Sequence, residues 1–329
     1  MRVALFGGTG FVGAYLVDAL LEAGHEPVLL VREGSEHRVE QADRCTRVTG
    51  CISDTSVVQA VVAGADAVIY NIGILRESPS QGVTFDALHF EGARRVMDAA
   101  DADGARRFIL MSANGVRADG TAYQRSKYLA EQYLATTGLD WTVFRPSVLF
   151  GEPRGREEFA TRLQHEIVQS PLPAPLFYKG LLPFNAGGFR LSPVHVQDVA
   201  TVFVRALEMP ETVGRTYTLC GPSALTWRDI IRLIADAAGT TKLALPAPVL
   251  PLKALALLFD RCEWFQVTRE QLGMLLEGNT CDGADGFSDF GLLPVAFEAA
   301  SLAYLRGGAG VHEAPVAAGT DSHPGGRQG

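Results

Sequence analysis

The sequence predicts an α/β protein: a doubly wound parallel sheet with helices on both faces, joined to a smaller, mainly C-terminal region. Three observations predict it. Short apolar runs alternate with segments of helical period through residues 1–150. The helical segments are long enough to return the chain in right-handed crossovers, which set consecutive strands parallel. The first apolar run also stops at clustered glycines that open the first helix.

Arg2–Phe6 is the first strand. Phe11–Ala23 is a helix, because Val12, Leu16, Ala19, Leu20 and Ala23 recur at helical spacing and Gly24 stands where a C-terminal cap belongs. Glu26–Val31 is the second strand, Arg47–Thr49 a weaker third and Asp66–Ile72 the fourth, with helices over Asp54–Ala63 and Phe85–Asp101. Arg107–Ser112 is the fifth strand, Ala122–Thr137 a helix and Trp141–Phe150 the sixth strand. After Gly151 the rhythm changes. Glu157–Gln169 is charged and helix-like, Ser170–Gly188 is a Pro- and Gly-rich loop, and residues 198–208 return to helix. Thr216–Cys220 is a strand, and Thr226–Ala238 a helix with Thr226 as its N-cap. Residues 306–329 carry almost no large apolar side chain and read as a disordered tail.

Hydrophobic residues make up 47% and charged residues 20% of the 329, which excludes wholesale disorder. Lys and Arg number 29 against 37 Asp and Glu, a formal charge of −8, so nucleic acid, which needs a basic footprint, is not an expected partner. The five cysteines, Cys45, Cys51, Cys220, Cys262 and Cys281, are odd in number and scattered. That usage predicts free thiols in a reducing compartment rather than a disulfide framework or a zinc site. The apolar run Val3–Phe6 is far too short for a signal peptide. The longest apolar stretch, Leu245–Phe259, is broken by prolines and Lys253 and falls short of the roughly 18–20 residues of a membrane span. Within it Val249–Phe259 reads as a buried helix, with peripheral membrane contact as the alternative. The expected location is cytoplasmic.

The strongest local signal is Gly7-Gly8-Thr9-Gly10-Phe11-Val12-Gly13, between the first strand and the first helix. Gly7 permits the tight turn, Gly10 lets the backbone approach a pyrophosphate, and Gly13 lets the helix pack near the strand. The helix N-terminus then offers N–H groups and positive dipole to phosphates, the arrangement of a Rossmann-type nucleotide site. The spacing G-x-x-G-x-x-G departs from the usual dehydrogenase fingerprint. An NAD site would place an acid at the tip of the second strand; here stand Val31 and Arg32, and a guanidinium suits a 2′-phosphate. NADP(H) is therefore the favoured cofactor, with Arg38 in support, Glu33 in opposition and NAD(H) as the alternative. Tyr123 and Lys127, four residues apart on a helix, share a face. A lysine beside a phenol favours phenolate and would fit Tyr123 for acid–base work near neutral pH.

These features resemble the extended short-chain dehydrogenase/reductase superfamily. Within it they resemble the atypical group that holds the NADPH-binding accessory subunit of mitochondrial respiratory complex I, often labelled NAD-dependent epimerase/dehydratase. The matching stretches are Gly7–Gly13, Tyr70–Gly73, His89–Arg94, Tyr123-x-x-x-Lys127, Arg145–Gly151, Pro193–Ala200, Gly221-Pro222 and Leu225-Thr226. The resemblance implies that Gly7, Thr9, Gly10, Phe11 and Val12 hold the pyrophosphate and Arg32 the 2′-phosphate. It further implies that Asn71, Ile72 and Gly73 line the adenosine, that Lys127 bonds the nicotinamide ribose, and that Pro146 and Ser147 border the nicotinamide. The family's adenine-contacting Asp is replaced by Cys51, leaving adenine to backbone and to apolar contact at Ile52. The implied division is a dinucleotide-binding domain over 1–150, completed by residues 190–220, and a substrate- or partner-binding region over 151–189 and 221–305.

The catalytic Ser or Thr of the family falls at Ala113, with Ser112 one residue earlier and so, in a strand, on the opposite face. His89 stands where the fuller tetrad carries Asn. The catalytic candidates are thus Tyr123, Lys127 and Ser112, and a missing oxyanion donor typically costs about 10²–10³ in rate. Two functions follow: an NADP(H)-dependent oxidoreductase or epimerase-like enzyme, or a non-catalytic NADPH-binding accessory or assembly protein of a respiratory or quinone-linked complex. A small-molecule substrate of unknown identity is the first partner expected, with peripheral membrane or respiratory-complex contact possible. The seven dispersed histidines suggest no metal site, and His195 reads as packed. Arg154–Glu158 reads as a solvated helix start. Phe177, Tyr178, Phe184 and Phe189 fall on the Pro/Gly loop, as a pocket roof, a partner face or a local mini-core.

Overall fold

The computed structural model describes residues 1–178, 180, 182–249, 273, 276–281 and 286–307. Its main sheet has seven parallel strands: β1 (Arg2–Phe6), β2 (Glu26–Val31), β3 (Thr46–Thr49), β4 (Ala67–Tyr70), β5 (Arg107–Met111), β6 (Asp140–Pro146) and β7 (Arg215–Leu219). They lie in the order β3-β2-β1-β4-β5-β6-β7, with Phe6 opposite both Leu30 and Tyr70. The order reverses between β1 and β4, and a crevice at such a reversal is where open α/β sheets take ligands.

The helices are α1 (Phe11–Glu22), α2 (Thr55–Val62), α3 (Gly92–Asp103), α4 (Ala122–Leu134), α5 (Phe159–Leu163), α6 (Val196–Leu207) and α7 (Trp227–Ala237). Alternation along β1 fixes the layers. Val3 and Leu5 pack with Leu16, Leu20, Val199 and Phe203 of α1 and α6, while Ala4 and Phe6 pack with Val58, Val61, Val96 and Met97 of α2 and α3. A separate apolar core joins Phe150, Leu163, Phe177, Trp227, Ile230, Phe297 and Leu302 beyond the sheet.

Four expectations change. The run Trp141–Phe150 is not one strand: β6 ends at Pro146, and Leu149–Phe150 pairs instead with Val194–His195. The Pro/Gly loop contains a strand, Ala174–Tyr178, paired in parallel with Ala244–Pro248, so Phe177 and Tyr178 are strand residues. Its prolines hid it, yet such a two-stranded ribbon loses little where a missing N–H is not in the ladder. The helix over Phe85–Asp101 opens with a π-helical stretch, Asp86–Glu91, where the Tyr70 hydroxyl donates to the Leu88 carbonyl. A Cβ at Gly92 would lie 2.6 Å from that hydroxyl, so the widened turn and the glycine accommodate one phenol. Finally, Cys220 and Cys281 form a disulfide, while Cys45 and Cys51 are free. Partners 61 residues apart carry no local signal of pairing.

Most of Val249–Phe259 and of the C-terminal tail lies outside the described residues. Among the described residues no helix is long and apolar enough to cross a membrane.

Candidate functional site

The three motif glycines do different work. Gly7 has φ +98°, and a Cβ there would lie 2.9 Å from the Asn71 carbonyl carbon. At Gly13 a Cβ would lie 2.1 Å from the Gly7 oxygen, so the helix start and the turn require a residue without a side chain. Gly10 is another matter. Its backbone is extended (φ −79°, ψ 177°), and a Cβ would meet only the Gly7 oxygen, at an ordinary 3.5 Å. The protein's own packing therefore does not demand glycine at this exposed position, and its absence of a side chain leaves the backbone open to a ligand's approach. No side chain caps α1 and no acid lies in its first turn, so the amides of Phe11 and Val12 keep their capacity for an anion. The cradle fits a dinucleotide diphosphate.

Asn71, just past β4, closes the crevice from the other side. Its Nδ2 donates to the Gly7 oxygen at 3.4 Å, and its Oδ1 is buried without a hydrogen-bond partner among the described residues. Lys127 of α4 donates to the carbonyl oxygens of Ile72 (3.2 Å) and Met111 (2.9 Å), beside Gly73. Burial draws its ammonium down to about 8.

The expected tyrosine–lysine pair does not form as anticipated. Lys127 faces backbone carbonyls, and burial pushes the Tyr123 phenol up to about 12. The Tyr123 ring stands edge-on to His89 and Phe85, with centroids 5.2 and 5.7 Å away. His89 is engaged on both nitrogens. Nε2 accepts from the Ile74 N–H at 3.0 Å, which leaves the proton on Nδ1, 3.0 Å from Ser126 Oγ; that hydroxyl in turn donates to the Tyr123 carbonyl at 3.0 Å. Burial, with the nearby Lys127 charge, pulls His89 down to about 2, so it braces the helix start as a neutral ring. Ser112 follows β5 with its N–H on the Phe144 carbonyl, and its Oγ is enclosed without a partner among the described residues. Ala113 is the half-buried neighbour.

Pro146 ends β6, and Ser147 beyond it donates from Oγ to the Asn279 carbonyl at 3.1 Å. Ile52 is buried, its carbonyl held by Arg95 at 3.0 Å. Exposed Cys51 accepts from Ser53 Oγ at 3.1 Å, which lowers its thiol pKa. Arg32 is exposed at the tip of β2. His195 caps α6 through Nδ1 and packs edge-on to Phe150.

Arg154–Glu158 is no solvated helix start. Arg156 donates from Nε to the Thr9 carbonyl at 3.1 Å, from Nη2 to the Arg38 carbonyl at 2.6 Å and from Nη1 to Glu40. Arg154 pairs with Asp18 and lies 4.0 Å over the Tyr15 ring, while buried Glu158 caps α5. Sequence reading missed this clamp on the glycine loop because its acidic partners lie more than a hundred residues earlier. It missed Asn279 for the same reason.

Comparison with known proteins agrees with the geometry. A family described as NAD(P)H-binding matches residues 7–170. The mitochondrial NADH-ubiquinone oxidoreductase 40 kDa subunit of Neurospora crassa is 25% identical over 315 residues, spanning 92% of this chain and 78% of that protein. The ceramide reductase of Caulobacter vibrioides is 28% identical over 242 residues, spanning 72% of this chain and 70% of that protein. The NAD+ complex of the Bordetella bronchiseptica enzyme WbmH superposes with a TM-score of 0.68 at 19% identity, covering 94% of this chain and 99% of that one, a likeness of fold.

The first relative also corrects the partner expectation. A small molecule stood first there, with respiratory-complex contact only an open possibility; a match across nearly the whole chain to a respiratory-complex subunit overturns that ranking. With its sheet order, glycine turn and the match over residues 7–170, the chain is an NAD(P)H-binding protein of Rossmann type, similar along most of its length to a respiratory-complex subunit and, in fold, to extended short-chain dehydrogenase/reductase enzymes.

Proposed function

We propose that this chain binds NADP(H) across the ends of β1 and β4 and serves a protein assembly as a nucleotide-holding accessory component, with little or no turnover. The enclosed Ser112 hydroxyl carries the second half of this reading. Carbonyl reduction needs a proton donor and a second donor on the developing oxyanion. Here the serine faces inward, Ala113 takes the neighbouring place, and no charge lowers the Tyr123 phenol. Bound NADP(H) would supply hydride; the chain's own residues supply binding. Gly7, Thr9, Gly10, Phe11 and Val12 hold the diphosphate, Arg32 the 2′-phosphate, and Ile52, Asn71, Ile72 and Gly73 the adenosine. Lys127 faces the nicotinamide ribose, and Pro146 and Ser147 border the ring. The similarity to a respiratory-complex subunit supports an assembly of that kind as the partner.

A second reading, a slow reductase, is favoured by Tyr123 and Lys127 remaining on one face of α4 and by the similarity to a ceramide reductase. Calorimetry followed by turnover assays separates the two. NADPH should bind about tenfold or more tightly than NADH, and Arg32→Ala should erase that preference. NADPH oxidation across a carbonyl panel that disappears in Tyr123→Phe would establish the enzyme. Absence of heat with either nucleotide would end both readings.

A further inference from the structure

The short segment Leu276–Cys281 crosses the carboxyl ends of β5, β6 and β7, on the side of the sheet away from the glycine loop. The Asn279 carbonyl accepts from Ser147 Oγ (3.1 Å) and from the Ser192 N–H (2.8 Å), and its N–H donates to the Arg190 carbonyl (2.9 Å). Asn114, just past β5, donates from Nδ2 to Asn279 Oδ1 (2.6 Å) and to the Thr280 carbonyl (3.0 Å). The Glu277 carboxylate takes the Arg117 guanidinium at 2.8 and 3.1 Å and Gln124 Nε2 at 3.3 Å, beside Tyr123 at the start of α4. The segment thus ties together the elements that carry Ser112, Tyr123 and Ser147.

Its far end is covalent. Cys281 is bonded to Cys220, the residue after β7. Cys220 stands on a fixed post: a Cβ at Gly221 would lie 1.8 Å from the Pro193 oxygen, and the Gly221 N–H donates to the Ser192 carbonyl at 3.1 Å. Magnitudes rank the restraints. The Glu277–Arg117 pair is solvent-exposed on both sides and so contributes little, and the neutral hydrogen bonds are individually modest. The disulfide, closing 61 residues, is the restraint that does not fluctuate open, and both its cysteines are partly exposed to a reductant.

We propose that Leu276–Cys281 is a redox-tethered strap over the nicotinamide side of the nucleotide site, held shut by the Cys220–Cys281 disulfide and freed when that bond is reduced. The proposal rests on the reading that the nucleotide lies with its nicotinamide toward Ser147. A dithiol reductant completes the chemistry. One of its thiolates attacks a sulfur of the pair and expels the other as thiolate, and its second thiol then displaces the remaining sulfur. Two electrons and two protons pass to Cys220 and Cys281, which become thiols, and the reductant leaves as a disulfide. The freed strap opens the β5–β7 side to nucleotide exchange.

The test uses the full chain, oxidised or treated with dithiothreitol, and Cys281→Ser, with peptide mapping, hydrogen exchange and stopped-flow NADPH release. Mapping should recover a linked Cys220–Cys281 peptide. Reduction should speed amide exchange across 276–281 by about tenfold or more and NADPH release several-fold. Cys281→Ser should match the reduced protein and no longer respond to dithiothreitol. An absent cross-link, or equal exchange and release in both redox states, overturns the strap. If NADPH binds neither form, the nucleotide reading fails separately and the exchange data decide: faster exchange on reduction upholds the tether, unchanged exchange removes it.

Discussion

The ammonium of Lys127 lies 2.9 Å from the carbonyl oxygen of Met111 and also reaches Ile72, so one side chain from α4 closes the ends of β4 and β5. Lys127→Met would leave two carbonyls short of a donor and should cost about 1–3 kcal/mol. The pH dependence is more telling. Burial draws Lys127 down to about 8 in the folded chain, below the ordinary 10.5 it regains on unfolding. Between these values the unfolded chain holds a proton that the folded chain has released, so this group adds stability as pH rises and nothing changes below about 8. Urea unfolding at pH 7.5 and 9.5 should show wild type gaining on Lys127→Met at the higher pH. Parallel responses would contradict the buried ammonium.

Gly10 and Gly13 should part company under the same substitution. Gly13→Ala drives a Cβ to 2.1 Å from the Gly7 oxygen and should cost several kcal/mol, enough to endanger folding. Gly10→Ala meets nothing nearer than 3.5 Å and should cost only about 1 kcal/mol as a poorer N-cap. Yet its methyl group occupies the approach to the helix amides, so calorimetry should find NADPH binding weakened by about tenfold or more. Unchanged affinity in a folded Gly10→Ala protein would detach the nucleotide from this turn.

This contrast marks what was legible in the sequence. Strand and helix periods in residues 1–134 reflect local burial, so β1 to β5, α1, α2 and α4 fall within a few residues of their expected bounds, and α3 does so only together with its π-helical opening, Asp86–Glu91. The turn Gly7–Gly13 between β1 and α1 was legible because its residues are contiguous. The Cys220–Cys281 bond, the Arg156 clamp and the Asn279 contacts were not, because each joins residues far apart in sequence. Lys127 shows a subtler failure. Helical spacing correctly put it on the face of Tyr123, but spacing says nothing of the free carbonyls of Ile72 and Met111 that compete for its ammonium. Ser112 shows the limit of such reasoning: offered as a catalytic candidate within the fifth strand, it lies past the end of β5 with its hydroxyl enclosed.

Arg156 holds the glycine loop from outside through the Thr9 carbonyl, and its guanidinium is almost wholly buried. Arg156→Ala should cost about 1–2 kcal/mol in stability and weaken NADPH binding roughly three- to tenfold by loosening Thr9. Arg156→Lys should rescue little, since an ammonium cannot serve Thr9, Arg38 and Glu40 in one fork. Glu40→Gln should be milder than either, because the bonds to the carbonyls of Thr9, Arg38 and Arg154 survive. Equal losses for Glu40→Gln and Arg156→Ala would show that the ion pair, not the grip on the loop, is what matters.

His89 makes the acid side of the stability curve predictable. Its folded value, near 2, lies far below the 6.5 it takes when unfolded, because its ring is buried, close to the Lys127 charge and committed to Ile74 and Ser126. As pH falls below about 6.5 the unfolded chain gains a proton that the folded chain refuses, so stability present above that pH is lost, by up to about 1.4 kcal/mol per pH unit. His89→Gln, whose amide can still accept from the Ile74 N–H, should be about 1–2 kcal/mol less stable at pH 7.5. It lacks the refused proton, so its unfolding curve should approach that of wild type by pH 5. A wild-type-to-variant gap that stays constant from pH 7.5 to 5 would mean that His89 takes up its proton in the fold, and that the brace beneath Tyr123 is a charged one.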